Sequence, residues 1–127
     1  MSSDRELGLV WGLVALACVA LSPWASRFAE SLPGCQLKSL AGLPCPTCGA
    51  GRATLALAAL DPLAALAANP LVTLGWTALI VGGLLALLWT GSGRPLLSLP
   101  TQLPIALRLG AVGVVLANWV YLIRAGI

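Results

Sequence analysis

Three long apolar stretches run through the chain, and shorter polar or proline-rich segments separate them. Residues 7–25 and 70–90 contain no charged side chain, and residues 103–123 contain only Arg108. A helix needs about 20 mostly apolar residues to cross a hydrocarbon core of roughly 30 Å. Each stretch meets this requirement, so the pattern predicts three transmembrane helices.

The segment between the first and second predicted spans has a different pattern. Residues 27–49 are the most polar part of the chain and are rich in proline and glycine, which favours a shaped loop. Residues 50–60 and 62–68 are rich in alanine and leucine, which favour helix, but both stretches are too short to cross a bilayer. We therefore expect a broken pair of short helices, re-entrant or interfacial, after the loop.

Two Asx-Pro pairs mark where helices are expected to begin. Asp61-Pro62 and Asn69-Pro70 each place a good N-cap residue before a proline, and proline is favoured at the first helical position. The first pair predicts the start of the second short helix, and the second pair predicts the start of the second span. Residues 91–102 hold two glycines and two prolines, which predict a turn before the third span.

The first apolar stretch has two interpretations. A cleaved signal peptide would combine a positive amino-terminal region with an apolar core and small residues at the cleavage site, and residues 20–26 are partly of that kind. Asp4 and Glu6 stand beside Arg5, so the region before the apolar core is acidic as well as basic. This mixture favours a membrane anchor that is retained.

Composition supports a membrane protein and excludes several functions. Of 127 residues, 59% are hydrophobic and 9% are charged, whereas about 25% of a typical soluble domain is charged. We therefore expect a single all-helical membrane domain over residues 1–127. The basic residues are scattered, which argues against nucleic-acid binding. The chain has no histidine, which excludes Ser-His-Asp and Cys-His catalysis and imidazole ligands for zinc.

The distribution of basic residues predicts an orientation. Three spans place the amino terminus and residues 91–102 on one side of the membrane, and residues 27–69 and the carboxyl terminus on the other. The second side carries four basic residues, against two or three on the first: Arg27, Lys38, Arg52 and Arg124, against Arg5, Arg94 and the span residue Arg108. Basic residues are enriched in cytoplasmic segments, so the pattern favours a cytoplasmic loop at 27–49.

Three of the four cysteines lie in this loop and are the main candidates for chemistry. Cys45 and Cys48 form a Cys-x-x-Cys spacing, which brings two sulfurs within reach of one metal ion or of each other, and Cys35 precedes them. Structural zinc takes four ligands, so these three would need a fourth from Asp61, a second copy of the chain, a partner or water. Cys18, inside the first span, is interpreted as a small apolar residue.

Two other interpretations of the three cysteines remain open. Cys45 and Cys48 directly precede a predicted helix, whose amino terminus would, together with Arg52, lower the pKa of a thiol. This arrangement is typical of a dithiol–disulfide redox motif, with Cys35 as a resolving thiol. Alternatively, the cysteines staple the loop or merely pack within it. The spacing does not separate a zinc or iron site from these two possibilities.

Polar residues within the apolar segments indicate further contacts. Arg52 and Asp61 flank a short apolar helix, and either charge would cost about 2.5–3.5 kcal/mol at the centre of a membrane helix. We expect them at the interface, paired, or lining a polar path, and we expect Asn118 to form an interhelical hydrogen bond. Two groups of small residues favour close helix packing: Gly82, Gly83 and Ala86, and Gly110, Gly113 and Ala117.

The cysteine segment also resembles a family of small bacterial membrane proteins known as domain of unknown function 2752. The resemblance rests on Cys35, on Gly42-Leu43-Pro44-Cys45-Pro46-Thr47-Cys48-Gly49, on Arg52-Ala53, on Asp61 and on Asn69-Pro70. It implies a shared fold, a place in the bacterial inner membrane and one common site, but no particular activity. Two positions depart from the family pattern: Gly51 replaces a threonine before Arg52, and Leu60 replaces a glycine before Asp61.

Three functions are compatible with these patterns. The first is a non-enzymatic accessory subunit or assembly factor of a membrane complex, in contact with lipid and with other membrane subunits or a second copy. Its cysteine loop would bind zinc or otherwise hold its shape. The second is a membrane thiol–disulfide oxidoreductase or redox sensor that uses Cys45 and Cys48. The third is a small transport component in which Arg52 and Asp61 line a polar path. The chain is short and poor in polar groups, which favours the first.

Overall fold

Helices form every regular element in the part of the chain that the structure describes. The computed structural model describes residues 2–31, 34–93 and 102–127. The helices, in chain order, are α1 Ser2–Leu21, α2 Ala25–Ser31, α3 Gln36–Ala41, α4 Ala50–Ala58, α5 Pro62–Ala68, α6 Pro70–Gly91 and α7 Ile105–Ala125, with a 3-10 turn at Ser22–Trp24. Residues 94–101, most of the turn predicted before the third span, lie outside the described residues.

Three helical stretches are long and apolar enough to cross a membrane: Asp4–Ala29, Pro70–Gly91 and Ile105–Ala125. The first of them passes from α1 through the 3-10 turn into α2. Their length and composition confirm the predicted all-helical fold with three helices capable of spanning a membrane, and indicate a multi-pass membrane protein.

The segment predicted as a loop at 27–49 contains more helix than the pattern indicates. Pro23 lacks a backbone N–H, and the chain passes it in a 3-10 turn before α2 continues to Ser31. α3 follows, with Cys35 at its N-cap and Gly42 at its C-cap, where a φ of 69° gives the left-handed conformation typical of helix ends. Proline and glycine therefore mark the ends of short helices here.

The described chain forms two compact units. The first combines residues of 1–23 with residues of 75–101, and it contains α1 and most of α6. The second combines 24–74 with 102–127, and it contains α2 to α5, the first turn of α6, and α7. Cys35, Cys45 and Cys48 all belong to the second unit.

A tight connection joins α4 to α5 in the second unit. The Asp61 N–H donates to the Ala56 carbonyl at 2.8 Å and the Leu60 N–H donates to the Leu57 carbonyl at 3.0 Å, which is the pattern of a Schellman motif. Leu60 has a φ of 60°, a left-handed conformation that favours glycine, and its side chain is 89% exposed. Glycine would therefore adopt the backbone conformation of position 60 with less strain than leucine does.

α5 and α6 begin at the two Asx-Pro pairs. The Asp61 carboxylate accepts a hydrogen bond from the Ala64 N–H at 3.0 Å, and Pro62 is the first residue of α5. The Asn69 side-chain oxygen accepts from the Val72 N–H at 3.2 Å, and α6 follows from Pro70. Each cap supplies a partner for a backbone N–H that has none within its own helix.

α1 and α6 pack closely in the first unit because small residues face each other. Ala15 is completely buried, and a Cβ atom added to Gly83 would lie 2.7 Å from the Ala15 Cβ and 2.9 Å from the Trp11 carbonyl oxygen. A Cβ added to Gly82 would lie 2.7 Å from the Trp11 ring. The Trp11 indole N–H donates to the Leu79 carbonyl at 3.0 Å. Close approach of this kind is the main way in which helices associate in lipid.

We expect the substitution Gly83→Leu to disrupt this packing. Its side chain has no space against α1, and overpacking of this kind costs about 1–3 kcal/mol. The matched control is Gly113→Leu in α7, where an added Cβ meets nothing within 4 Å. The free energy of unfolding of both variants is measured in mixed detergent micelles by circular dichroism. Equal losses in the two variants would contradict the packing described for Gly83.

Candidate metal centre

Cys45 and Cys48 lie at the two ends of a tight turn. The Cys48 N–H donates to the Cys45 carbonyl at 2.9 Å, and the Cys45 N–H donates to the Cys48 Sγ at 3.1 Å. The two Sγ atoms are 3.4 Å apart, whereas a disulfide has an S–S length of about 2.05 Å. The turn therefore holds two free thiols side by side, with a backbone N–H directed at one sulfur.

Cys35 brings a third sulfur to this turn. It stands at the N-cap of α3, and the Sγ atoms of Cys35, Cys45 and Cys48 all lie within 4.8 Å of one another. Sulfur ligands of tetrahedral zinc, at a Zn–S distance of about 2.3 Å, lie about 3.8 Å apart. The three thiols therefore have the spacing and the chemistry to share one soft metal ion such as zinc or copper(I).

No carboxylate or histidine completes this set among the described residues. Asp61 lies outside the group of three sulfurs, and its exposed carboxylate caps α5. Cys18 is not one of the group, and the chain contains no histidine. A metal ion held by Cys35, Cys45 and Cys48 would therefore take its fourth ligand from beyond this set.

Cys35 and Cys48 differ in acidity because their surroundings stabilise the thiolate unequally. The hydrogen bond from the Cys48 thiol, helped by the backbone N–H groups of Lys38 and Cys45, lowers the pKa of Cys35 to about 6. Burial, together with the hydrogen bond to Cys35, raises the pKa of Cys48 to about 11. The thiolate of Cys35 is therefore favoured over that of Cys48.

Asn69 fixes the cysteine turn to the start of α6. Its side-chain amide is completely buried and donates to the Cys48 carbonyl at 2.9 Å and to the Pro46 carbonyl at 3.3 Å. The same side chain caps α6 through the Val72 N–H. The sequence predicts only the cap, because the contact with the turn joins positions more than 20 residues apart.

α7 holds the same turn from another direction. The Asn118 amide donates to the Pro46 carbonyl at 3.3 Å, and its oxygen accepts from the Leu71 N–H at 3.1 Å. The Trp119 indole N–H donates to the Pro44 carbonyl at 2.7 Å. The sequence predicts that Asn118, a polar amide in an apolar span, forms a hydrogen bond between helices. It does not indicate that the partner is the cysteine turn, and it gives no signal for the role of Trp119.

Gly49 allows the cysteine turn to approach the end of α5. Its φ of 79° is left-handed, and a Cβ atom at this position would lie 2.5 Å from the Ala68 carbonyl oxygen. Any other residue would meet both backbone strain and a steric clash. Gly49 is also the N-cap of α4, so the close approach sets where that helix begins relative to the sulfurs.

An open cleft of about 520 Å³ adjoins the three sulfurs. It is lined by Ala29, Cys35, Lys38, Cys45, Thr47, Cys48, Gly49, Ala50, Gly51, Arg52 and Ile127. Two of these residues are basic, Lys38 and Arg52, and none is acidic. Arg52 thus lies beside the cysteines, whereas Asp61 is not part of the lining.

We expect the substitution Asn118→Ala to loosen the cysteine turn. It removes one donor to Pro46 and leaves the Leu71 N–H without its partner, which costs about 1–3 kcal/mol when the group is buried. Cys48, which is 6% exposed, should then react faster with a small alkylating reagent. Mass spectrometry of timed alkylation measures this rate.

Tyr121→Phe is the control for that substitution. It also removes a hydrogen bond from α7, the one from the Tyr121 hydroxyl to the Ala67 carbonyl at 2.9 Å, but it does not touch the cysteine turn. We expect its Cys48 alkylation rate to match that of the unchanged protein. If Asn118→Ala left the rate equally unchanged, Asn118 would not hold the turn.

Comparison with known protein families bears on the resemblance predicted from the sequence. The model of a family described as protein of unknown function (DUF2752) matches residues 35–83, which include the three cysteines, Arg52, Asp61 and Asn69-Pro70. No curated protein and no solved structure matches the chain. The resemblance to the DUF2752 family is therefore confirmed over residues 35–83, the part of the chain that carries the candidate metal centre.

Proposed function

We propose that this protein is a non-enzymatic accessory subunit or assembly factor of a membrane complex, and that Cys35, Cys45 and Cys48 bind a zinc ion in it. The observation that carries the proposal is the convergence of three Sγ atoms within 4.8 Å. Thiolate zinc sites stabilise the folded chain around them, since the ligands are assembled only when the protein folds. Such a site would hold α3, the cysteine turn and α4 in one arrangement.

The exposed face of α7 supports a role within a larger assembly. Every side chain from residue 105 to residue 117 is exposed, and all of them except Arg108 are apolar or small. Lipid or another membrane helix would cover such a surface, and small residues allow a partner helix to approach closely. An accessory subunit that pairs with larger membrane proteins would use a surface of this kind.

Metal analysis tests the zinc site. The full chain is purified in detergent under reducing conditions, and metal is measured by inductively coupled plasma mass spectrometry with a thiol count on the same sample. We expect about one zinc ion per chain, because one set of three thiols is present. Cys45→Ser and Cys35→Ser should lose most of this metal. Cys18→Ser, which changes a thiol outside the group, should retain it.

A membrane thiol–disulfide oxidoreductase is the second candidate, and one distance favours it. The Cys45 and Cys48 sulfurs are 3.4 Å apart, so a small movement would join them. The two thiols would exchange with a disulfide of a partner protein, which leaves Cys45 and Cys48 oxidised and the partner reduced. Protein free of metal, with all thiols titratable and one Cys45–Cys48 disulfide formed on mild oxidation, would replace the zinc proposal with this one.

We also propose that the protein lies in a bacterial cytoplasmic membrane with the cysteine turn on the cytoplasmic side. Arg27, Lys38, Arg52 and Arg124 support this orientation through the positive-inside tendency. After any bound metal is removed with a membrane-permeant chelator, a membrane-impermeant maleimide should therefore label Cys35 and Cys45 in inverted membrane vesicles and leave them unlabelled in intact spheroplasts. The opposite labelling pattern would reverse the orientation.

A further inference from the structure

We propose that the three-thiol centre takes an exogenous small-molecule thiol with carboxylate groups as its fourth ligand, and that Lys38 and Arg52 bind those carboxylates. This inference rests on the proposed metal site. The three sulfurs converge beside an open cleft, the described residues supply no fourth ligand next to them, and both basic side chains line that cleft. Together these observations define a position that is open to solvent and positively charged.

The charges in the cleft favour an anionic fourth ligand. Zinc with three thiolates carries a net charge of 2 − 3 = −1, and a fourth thiolate makes it −2. Lys38 and Arg52 contribute two positive charges, and none of the described residues that line the cleft has an acidic side chain, so zinc with three thiolates in these surroundings leaves a net charge of about +1. Water as the fourth ligand would leave the same surroundings with an excess of positive charge. A fourth ligand that carries negative charge reduces this excess, whereas water does not.

The size and opening of the cleft fit a small molecule. A volume of about 520 Å³ lies within the range of roughly 300–1,000 Å³ typical of small-molecule sites. Arg52 offers the planar, two-pronged donor set that binds carboxylates best, and Lys38 offers a second positive charge. On binding, the thiol releases its proton to solvent and its sulfur completes the coordination. No electron is transferred, and no covalent bond of the protein changes.

Spectroscopic titration of the full chain in detergent tests the inference. Cobalt(II) replaces zinc as a visible probe, and glutathione, a thiol with two carboxylates, is added. We expect thiolate-to-cobalt absorption to increase with glutathione and to remain unchanged with S-methylglutathione, which keeps the carboxylates but lacks the free thiol. Cysteamine, a thiol that carries a positive charge, should bind more weakly than glutathione.

Matched variants separate the roles of the basic residues. Lys38→Gln and Arg52→Gln should each weaken glutathione binding roughly two- to fivefold, the range for exposed charge pairs, while the cobalt content stays the same. Arg124→Gln removes an exposed positive charge at the end of α7 that does not line the cleft, and it should leave glutathione binding unchanged.

Several results would overturn the inference. The first is an absence of any spectral response to glutathione, and the second is equally tight binding of S-methylglutathione. The third is one metal ion shared by a dimer of the chain, because a second copy would then supply the fourth ligand. Failure of the chain to take up cobalt or zinc at all would reject the proposed metal site itself. Stoichiometric metal uptake without a glutathione response would reject only this inference.

Discussion

The backbone carbonyls of Pro44, Pro46 and Cys48 receive hydrogen bonds from side chains far away in the sequence, and the position of the sulfurs depends on this. Prolines at 44 and 46 remove two backbone donors, so the segment has fewer N–H groups with which to pair its own carbonyls. Asn69 and Asn118, 0% and 6% exposed, supply donors to Pro46 and Cys48 instead. An unpaired carbonyl in these apolar surroundings would cost about 1–3 kcal/mol. The turn is therefore held where the two amides meet.

The short helices around the turn depend on their ends more than on their lengths. α3, α4 and α5 have six, nine and seven residues, too few for a stable isolated helix in water. Each has a defined boundary: Gly42 ends α3, Gly49 begins α4, and Asp61 begins α5. These boundaries fix where neighbouring helices start, and so they help to bring Cys35 to the Cys45–Cys48 turn.

Features that depend on neighbouring residues could be predicted from the sequence, and features that join distant residues could not. The three spans follow from length and composition, and the Asp61 and Asn69 caps follow from the proline that comes directly after each residue. The pattern predicts a loop at 27–49, but residues 27–31 and 36–41 are helical, because proline and glycine mark helix ends as readily as loops. The pairing of Asn118 with Pro46 spans 72 positions, and nothing local to either residue indicates it. The Cys-x-x-Cys spacing predicts that the sulfurs of Cys45 and Cys48 are neighbours. The sulfur of Cys35 joins them only because of where α3 begins, which the sequence does not indicate.

The charged groups of the second unit restrict where its cysteine turn can lie relative to a bilayer. Placing Lys38 or Arg52 at the centre of the hydrocarbon would cost about 2.5–3.5 kcal/mol each, and the structure leaves both side chains exposed. The turn contacts Asn69, directly before α6, and Trp119, near the end of α7, so it lies at the ends of two spans. A site at the end of two spans meets water and its solutes. The three thiols therefore lie beside the ends of two helices that are long and apolar enough to span a membrane.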